Sequence, residues 1–466
     1  MKIGGLKERQ NRVCYNWGFQ FALWCAILWG ACYQLLEILI SDERFLHIEI
    51  AKRNPYVTGT VLAIVLTSFI ALFAVIWAAV TGDIKEIRKG ILSSRKINVY
   101  FLIEALAGGL AAWATYVTAG LLNTMFAVFG VMFYPILGAV IAKKWLREKV
   151  SSKTRVGMGM ILIGWGLFYF QTIAGGDWGG NTWVGAALGI ITGIGWGVEG
   201  AIASKVMDMV DSDSNVAVRF LYEAVIWVAI FLLITLVIPE NEVWLYMRLL
   251  FQDLRAVLML AVIALALTFN YFSWYRSFTL MGVTEGLVIS NTSGFVTVLT
   301  GMLLAVFMPA WTDIIACLLM ISGIFWIYWY GISRTGVFRE VDLTPCVKRT
   351  PMTGNYEELP LKARILIFIA SNGPIWDFEV ANLFSEDIIS VKKRCRYRNR
   401  LRTYMIESCA SGFLVSIEDD IDEMGKFEKG KLLSRYQITE YGYKQLTESG
   451  FILNFDKTTT SISGEL

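Results

Sequence analysis

The first 331 residues are dominated by apolar runs long enough to cross a bilayer, and no other feature limits the fold as strongly. A helical span needs about 20 mostly apolar residues, because the hydrocarbon core is about 30 Å thick and a helix rises about 1.5 Å per residue. Ten such runs stand at 17–40, 55–81, 98–120, 123–142, 155–173, 183–205, 218–238, 254–276, 283–307 and 309–331. The chain is 56% hydrophobic and 17% charged, where soluble domains carry about 25% charged residues. The basic start MKIGGLKERQNR has no small-residue cleavage site after its apolar stretch, so the first run is read as a retained span. The expected fold is an all-α polytopic membrane protein of ten transmembrane helices.

Orientation follows from Lys and Arg in the flanks. The N-terminus carries Lys2, Lys7, Arg9 and Arg12; the second loop has five basic residues between Lys85 and Lys96, and the fourth has six between Lys143 and Arg155. The intervening loops carry few, such as Arg248 and Arg255 in the seventh. Ten spans then leave both termini in the cytoplasm. The expected location is the cytoplasmic (inner) membrane of a bacterium or archaeon.

Several chemistries are set aside by what the chain lacks. The seven cysteines have no CxxC spacing, which argues against a disulfide framework or a zinc site. His47 is the single histidine, so a Ser-His-Asp triad or a His-based metal centre has no material. No GxxxxGK[ST] motif supports ATP-driven pumping. An enzyme is not expected, and no cofactor or metal is implied.

The two halves of the apolar region echo each other. Trp29-Gly30 and Trp196-Gly197 stand past the middle of two spans, 167 residues apart. Tyr116 with Tyr275, Pro135 with Gly294, and Gly164 with Gly323 share a spacing of 159. Such self-similarity in one order favours an internal repeat, about 17–173 and 183–331. Five spans per repeat, an odd number, require the halves to be inverted in the membrane, and carriers with inverted repeats place their site near the midplane between them.

AILWG (Ala26–Gly30), the stretch from Tyr116 to Pro135, and KKWLREKVSSKTRVGMGMILIGWG (Lys143–Gly166) together resemble EamA-type members of the drug/metabolite transporter superfamily. That family shows a Trp-Gly in the first span of each repeat, a Pro in the fourth, and a short Glu-containing basic loop before a Gly-rich fifth. Glu148 stands in that loop, with the order Arg-Glu-Lys instead of the usual Glu-Arg. The second half departs further: Gly294 replaces the Pro, and no charged loop follows span nine. The resemblance covers 17–331. It implies ten helices and secondary, non-ATP carriage of small metabolites or amino acids by alternating access, often as export.

Charged groups within spans need a reason, since each costs about 2.5–3.5 kcal/mol at the bilayer centre on insertion scales. Glu104, Glu199 and Glu223 lie inside spans three, six and seven, all in the cytoplasmic half. They are candidates to bind a cationic or zwitterionic substrate, or a coupling proton. The plainer reading pairs each with Lys205 or Arg276, or has it accept from a neighbouring Ser, Thr or Trp, and makes it a lock between helices. Glu37, Glu285 and Arg276 sit near span ends, where snorkelling accounts for them. SNTSG (Ser290–Gly294) places small polar residues near mid-membrane, where a helix can unwind and offer backbone carbonyls; Asn291 is the functional candidate, and close packing is the alternative. Trp29, Trp196 and Tyr116 are candidates to line an aromatic-walled site, with ordinary packing, usual for aromatics at this density, as the alternative. The glycines from Gly108 to Gly164 are read as packing surfaces.

After span ten the composition changes. Residues 333–360 hold three of the eight prolines and read as a linker, residues 361–453 as a soluble module, and 454–466 as a flexible tail. The module reads as three helices, a strand–wing–strand and a last helix capped from Thr439. That order, with YQITEYG (Tyr436–Gly442), resembles the winged-helix fold, a small α+β domain. Seven of the twelve residues from Val391 to Arg402 are basic. At about 100° per residue, Lys392, Lys393, Arg396, Arg400 and Arg402 share about half of the third helix. Three readings suit such a face: DNA; anionic lipid headgroups or docking onto the chain's own membrane part; and contact with another protein or a plain solvated surface. A membrane-embedded metabolite sensor whose tail binds DNA is therefore the alternative to a carrier. A homodimer is compatible with either.

Overall fold

The computed structural model describes residues 3–122, 131, 133–174, 180–238, 241–303, 310–331, 336–348 and 356–452, with residues 168–174 described by backbone alone. Most of the first half of the expected fourth span, parts of the expected linker and the expected flexible tail lie outside these residues.

The apolar region forms α1 (Ile3–Ser41), α2 (Ile48–Arg53), α3 (Pro55–Thr81), α4 (Ile84–Ile91) and α5 (Arg95–Leu121). After the next loop come α6 (Tyr134–Ile141), a π-helical turn (Ala142–Leu146), α7 (Ser152–Ala174), α8 (Gly180–Met207), α9 (Ser212–Val237) and α10 (Glu242–Gln252). It closes with α11 (Leu254–Met281), α12 (Val283–Ser290), α13 (Ser293–Leu303) and α14 (Trp311–Gly331). Eight helices among the described residues are long and apolar enough to span a membrane: α1, α3, α5, α8, α9, α11, α12 with α13, and α14. The expected fifth run is the 23-residue α7.

Local chemistry sets the helix ends. Asn54 accepts from Val57 N ahead of Pro55, Asp211 caps Ser214 N, and Asn241 caps Trp244 N, each satisfying an amide that the first turn leaves free. Gly82, with φ 86°, ends α3 in the left-handed conformation that a side chain would resist. Outward faces stay apolar: Leu236, Phe325 and Trp329 are all at least 67% exposed, as expected of a lipid-facing belt.

The long helices pair across the bundle. α1 packs along α11 and α5 along α8; α1 also meets α13, and α6 meets α8. Glycines permit the closest approaches. A Cβ on Gly30 would come within 2.6 Å of Ser293 O, and one on Gly197 within 3.1 Å of Tyr134 O. Between α7 and α14, a Cβ on Gly157 would meet Gly323 O at 3.0 Å and one on Gly164 would meet Ala316 O at 2.9 Å.

The C-terminal module contains α15 (Leu361–Asn372), β1 (Ile375–Trp376), α16 (Asp377–Leu383), α17 (Val391–Ala410), β2 (Leu414–Ile421), β3 (Leu432–Ile438) and α18 (Glu440–Glu448). The helices and the two longer strands occur in the expected order; the two-residue β1 is an addition. The sheet is antiparallel in the order β1-β3-β2, with Ile375 opposite Tyr436 and Leu414 opposite Ile438. Ile365, Ile369, Leu401, Met405, Ile438 and Leu446 fill its core. The segment expected as a linker is stitched on both sides where it is described. Phe338 O accepts from Lys149 N at 2.8 Å and Glu340 N donates to Arg147 O at 2.7 Å, while Cys346 N donates to Ile438 O at 2.8 Å. The module therefore sits against the bundle, at the end that also carries the start of α1: Lys7 Nζ lies 2.6 Å from Asp419 Oδ2.

Candidate functional site

The three carboxylates singled out from the sequence come together. α5 supplies Glu104, α8 supplies Glu199 and α9 supplies Glu223, and all three are buried. At about 1.5 Å per residue they stand roughly 12–16 Å in from the module-side ends of their helices. The plainer pairing with Lys205 or Arg276 does not occur. Lys205 donates to Gln445 of the module, and Arg276 pairs with Asp213.

Glu199 and Glu223 share Arg219, fully buried on α9, with Nη2 3.1 Å from Glu199 Oε1 and Nη1 2.8 Å from Glu223 Oε2. Its guanidinium lies over the Phe220 ring at 3.9 Å and near that of Tyr271 at 5.0 Å. Thr67 Oγ1 donates to Glu223 Oε1 at 2.7 Å. Room for the group comes from Gly108, where a Cβ would collide with the Arg219 guanidinium and the Glu199 carboxylate. This gives that glycine a role beyond packing. Arg219 was hidden because the apolar run starts at residue 218, which made it look like a flank. The helix in fact begins at Ser212, so Arg219 lies two turns inside. The available signal was the i, i+4 spacing of Arg219 and Glu223.

Tyr275 joins the other two carboxylates: its hydroxyl is 2.6 Å from Glu104 Oε1 and 2.9 Å from Glu199 Oε1. A phenol carries one proton and donates once. The second contact is a hydrogen bond only when the other carboxyl brings its own proton. Glu104 Oε2 and Glu199 Oε2 have no hydrogen-bond partner among the described residues. Three carboxyl groups thus face one guanidinium in a setting where an unpaired charge is costly.

An aromatic cluster adjoins this group. Trp29 and Trp196, the tryptophans of the two Trp-Gly pairs, meet edge-to-face at 4.7 Å. Trp274 lies 5.6 Å from Trp29, Tyr134 6.3 Å from Trp196, and Tyr271 links the cluster to Tyr275 at 6.3 Å. Tyr116, on α5, packs half-buried against the core. Tyr134, Tyr271 and Trp274 carried no signal that set them apart from other aromatics.

Asn291 lies in the break between α12 and α13, as the small polar run suggested. Trp165 Nε1 donates to the Asn291 backbone carbonyl at 3.1 Å, and with its amide oriented to suit its neighbours the Asn291 side chain donates to Val131 O at 3.1 Å. It thereby ties the interruption to neighbouring segments. Glu148 also serves α12: its carboxylate accepts from Val283 N at 2.7 Å and Thr284 N at 3.0 Å, capping the helix start.

The five basic residues of α17 divide. Lys392, Lys393 and Arg396 are exposed. Arg400 turns to Asp83 and Asp211 of the bundle, and Arg402 pairs with Asp377 inside the module at 3.2 Å. Half a helix surface judged from spacing includes positions that neighbouring carboxylates claim once the domain is docked. Burial pushes the Asp377 carboxyl up to about 6, against the pull of Arg402. A cavity of about 290 Å³ separates the sheet face from the bundle, lined by Tyr15, Glu285, Met281, Phe338, Leu414 and Tyr436 among others.

Fold and site together describe a polytopic membrane protein with a buried charged and aromatic centre and a docked module. Residues 183–329 match the model of the EamA-like transporter family. No curated protein matches the chain. A solved structure titled "Crystal structure of protein" is 15% identical and covers 67% of this chain and 96% of its own, with a TM-score of 0.48.

Proposed function

We propose that the protein is a secondary transporter of a small cationic or zwitterionic metabolite, working without ATP by alternating access. The carrying observation is the buried group of Glu104, Glu199, Glu223 and Arg219. With every group ionised, it holds three negative charges against one positive. A bound cation or a proton offsets the excess, and a site that needs such an occupant is suited to exchange one for the other. The match of 183–329 to a transporter family supports the same class. Export is the direction that the wider family resemblance favours.

Two inverted five-helix repeats are supported by how contacts recur. Gly30 approaches Ser293, and Gly197 approaches Tyr134, 159 positions earlier. Gly157 meets Gly323, and Gly164 meets Ala316, the same two contacts exchanged under that shift. The pairs α1–α11 and α8–α5 exchange in the same way. Ten crossings, residues 1–332 as the carrier unit, and both termini in the cytoplasm are consistent with Lys7 and Asp419 meeting at one end. The helix–strand order of 361–452 supports a winged-helix-like reading of the module, the α+β unit expected over 361–453.

The test is counterflow of labelled amino acids and small metabolites in proteoliposomes across pH. Wild type should exchange at least one compound with a pH-dependent rate. Glu199→Gln should flatten that profile and slow exchange at least tenfold. Normal exchange with an unchanged profile would remove Glu199 from the pathway.

A further inference from the structure

The module does more than lie beside the bundle: its contacts reach both halves at the same end. Arg400 of α17 bonds Asp83, in the turn between α3 and α4, and lies 3.6 Å from Asp211, the cap of α9. One guanidinium thus joins a carboxylate of the first half to one of the second. Around it, Leu361 N donates to Glu86 at 2.8 Å on the first-half side. On the second-half side, Lys362 donates to Met207 O at 2.8 Å, and the buried Arg339 pairs with Asp208 at 3.0 Å. Both carboxylates held by Arg400 are themselves largely buried, at 14% and 5% side-chain exposure.

We propose that the C-terminal module is a latch across the module-side entrance, with Arg400 as the residue that bridges the halves, and that the central site opens to that side only when the bridge is released. The inference rests on the alternating-access reading above. Opening an entrance requires the two halves to separate at that end. A guanidinium holds two carboxylates only while both stay within reach of its fork, a few ångströms. Separation therefore breaks the Arg400 bridge or lifts the module off one half. In the latched arrangement Glu104, Glu199 and Arg219 have no exposed surface. The module contacts both loops through which they would be reached. A domain joined to one half alone would ride with that half and leave the entrance free.

The experiment uses the full chain in proteoliposomes. Ser214, buried at 2% exposure two residues after the start of α9, is replaced by Cys as a reporter on that entrance. Labelling at position 214 by a membrane-impermeant maleimide, supplied on the module side, is read by peptide mass spectrometry. Arg400→Gln should raise the labelling rate at least fivefold and speed counterflow severalfold. Asp83→Asn, which removes the first-half end of the same bridge, should do the same; it serves as the decisive variant if Arg400→Gln fails to fold. Unchanged labelling in a folded variant would overturn the latch, and counterflow persisting in wild type would leave the transporter reading standing. Faster labelling with no flux of any compound, in wild type or variants, would support the latch as a conformational device and sink the transporter reading instead. Slower exchange in folded variants would overturn the latch, because it would make the bridge a requirement for turnover.

Discussion

At the scale of single residues, the decisive group is Arg219. Carboxylates inside apolar runs are conspicuous in a sequence because each is costly there, and all three singled out on that ground converge in the structure. Their counter-charge was not conspicuous, since an arginine near a span end has a ready explanation in snorkelling. Removing it leaves three buried carboxyl groups without a cation. Arg219→Gln should destabilise the bundle by about 3–5 kcal/mol, read as a fall in thermal midpoint in detergent. Adding Glu199→Gln and Glu223→Gln should restore part of the loss. If the single variant melts like wild type, the ion pairs do not hold these helices together.

Among elements, the seam between α7 and α14 shows how little volume separates a working contact from a clash. A Cβ on Gly323 would stand 2.8 Å from Gly157 O and 2.7 Å from an Ile161 side-chain carbon. Gly323→Leu should therefore cost about 1–3 kcal/mol or more through overpacking, while an equally apolar change at the exposed Leu318 should cost almost nothing. Parallel melting curves of the two variants test this. The break at Asn291 belongs to the same scale. SNTSG suggested a place where a helix could yield, but Trp165 and Val131 decide how the break is satisfied, and both are distant in the chain.

At the scale of the molecule, the module and bundle form one unit, and pH provides a handle on the module. The Asp377 carboxyl titrates at about 6 when folded against 3.8 ordinarily. The native state thus holds its proton more tightly than the unfolded chain. Stability from this group is fullest below about pH 4 and is lost as pH rises toward 6. Relative to wild type, Asp377→Asn should protect amides of 361–452 equally well near pH 4 and better above pH 6, measured by hydrogen exchange on the full chain. A constant difference across that range would show that burial of Asp377 is not what sets its titration.

The sequence by itself determined that this is a membrane protein of many apolar helices, which residues in those helices are too costly to be incidental, and the order of elements in the module. These follow from local composition: a long apolar run has one way to satisfy its backbone in lipid, and alternating or helical periodicity is written in neighbouring residues. Only the tertiary structure decided that Trp29 touches Trp196, that Tyr275 serves two carboxylates, and that Arg400 leaves a basic face to bridge Asp83 and Asp211. Those are contacts between residues tens to hundreds of positions apart. No local pattern encodes them; they arise when helices approach closely at glycines and the docked module brings its charges against those of the loops.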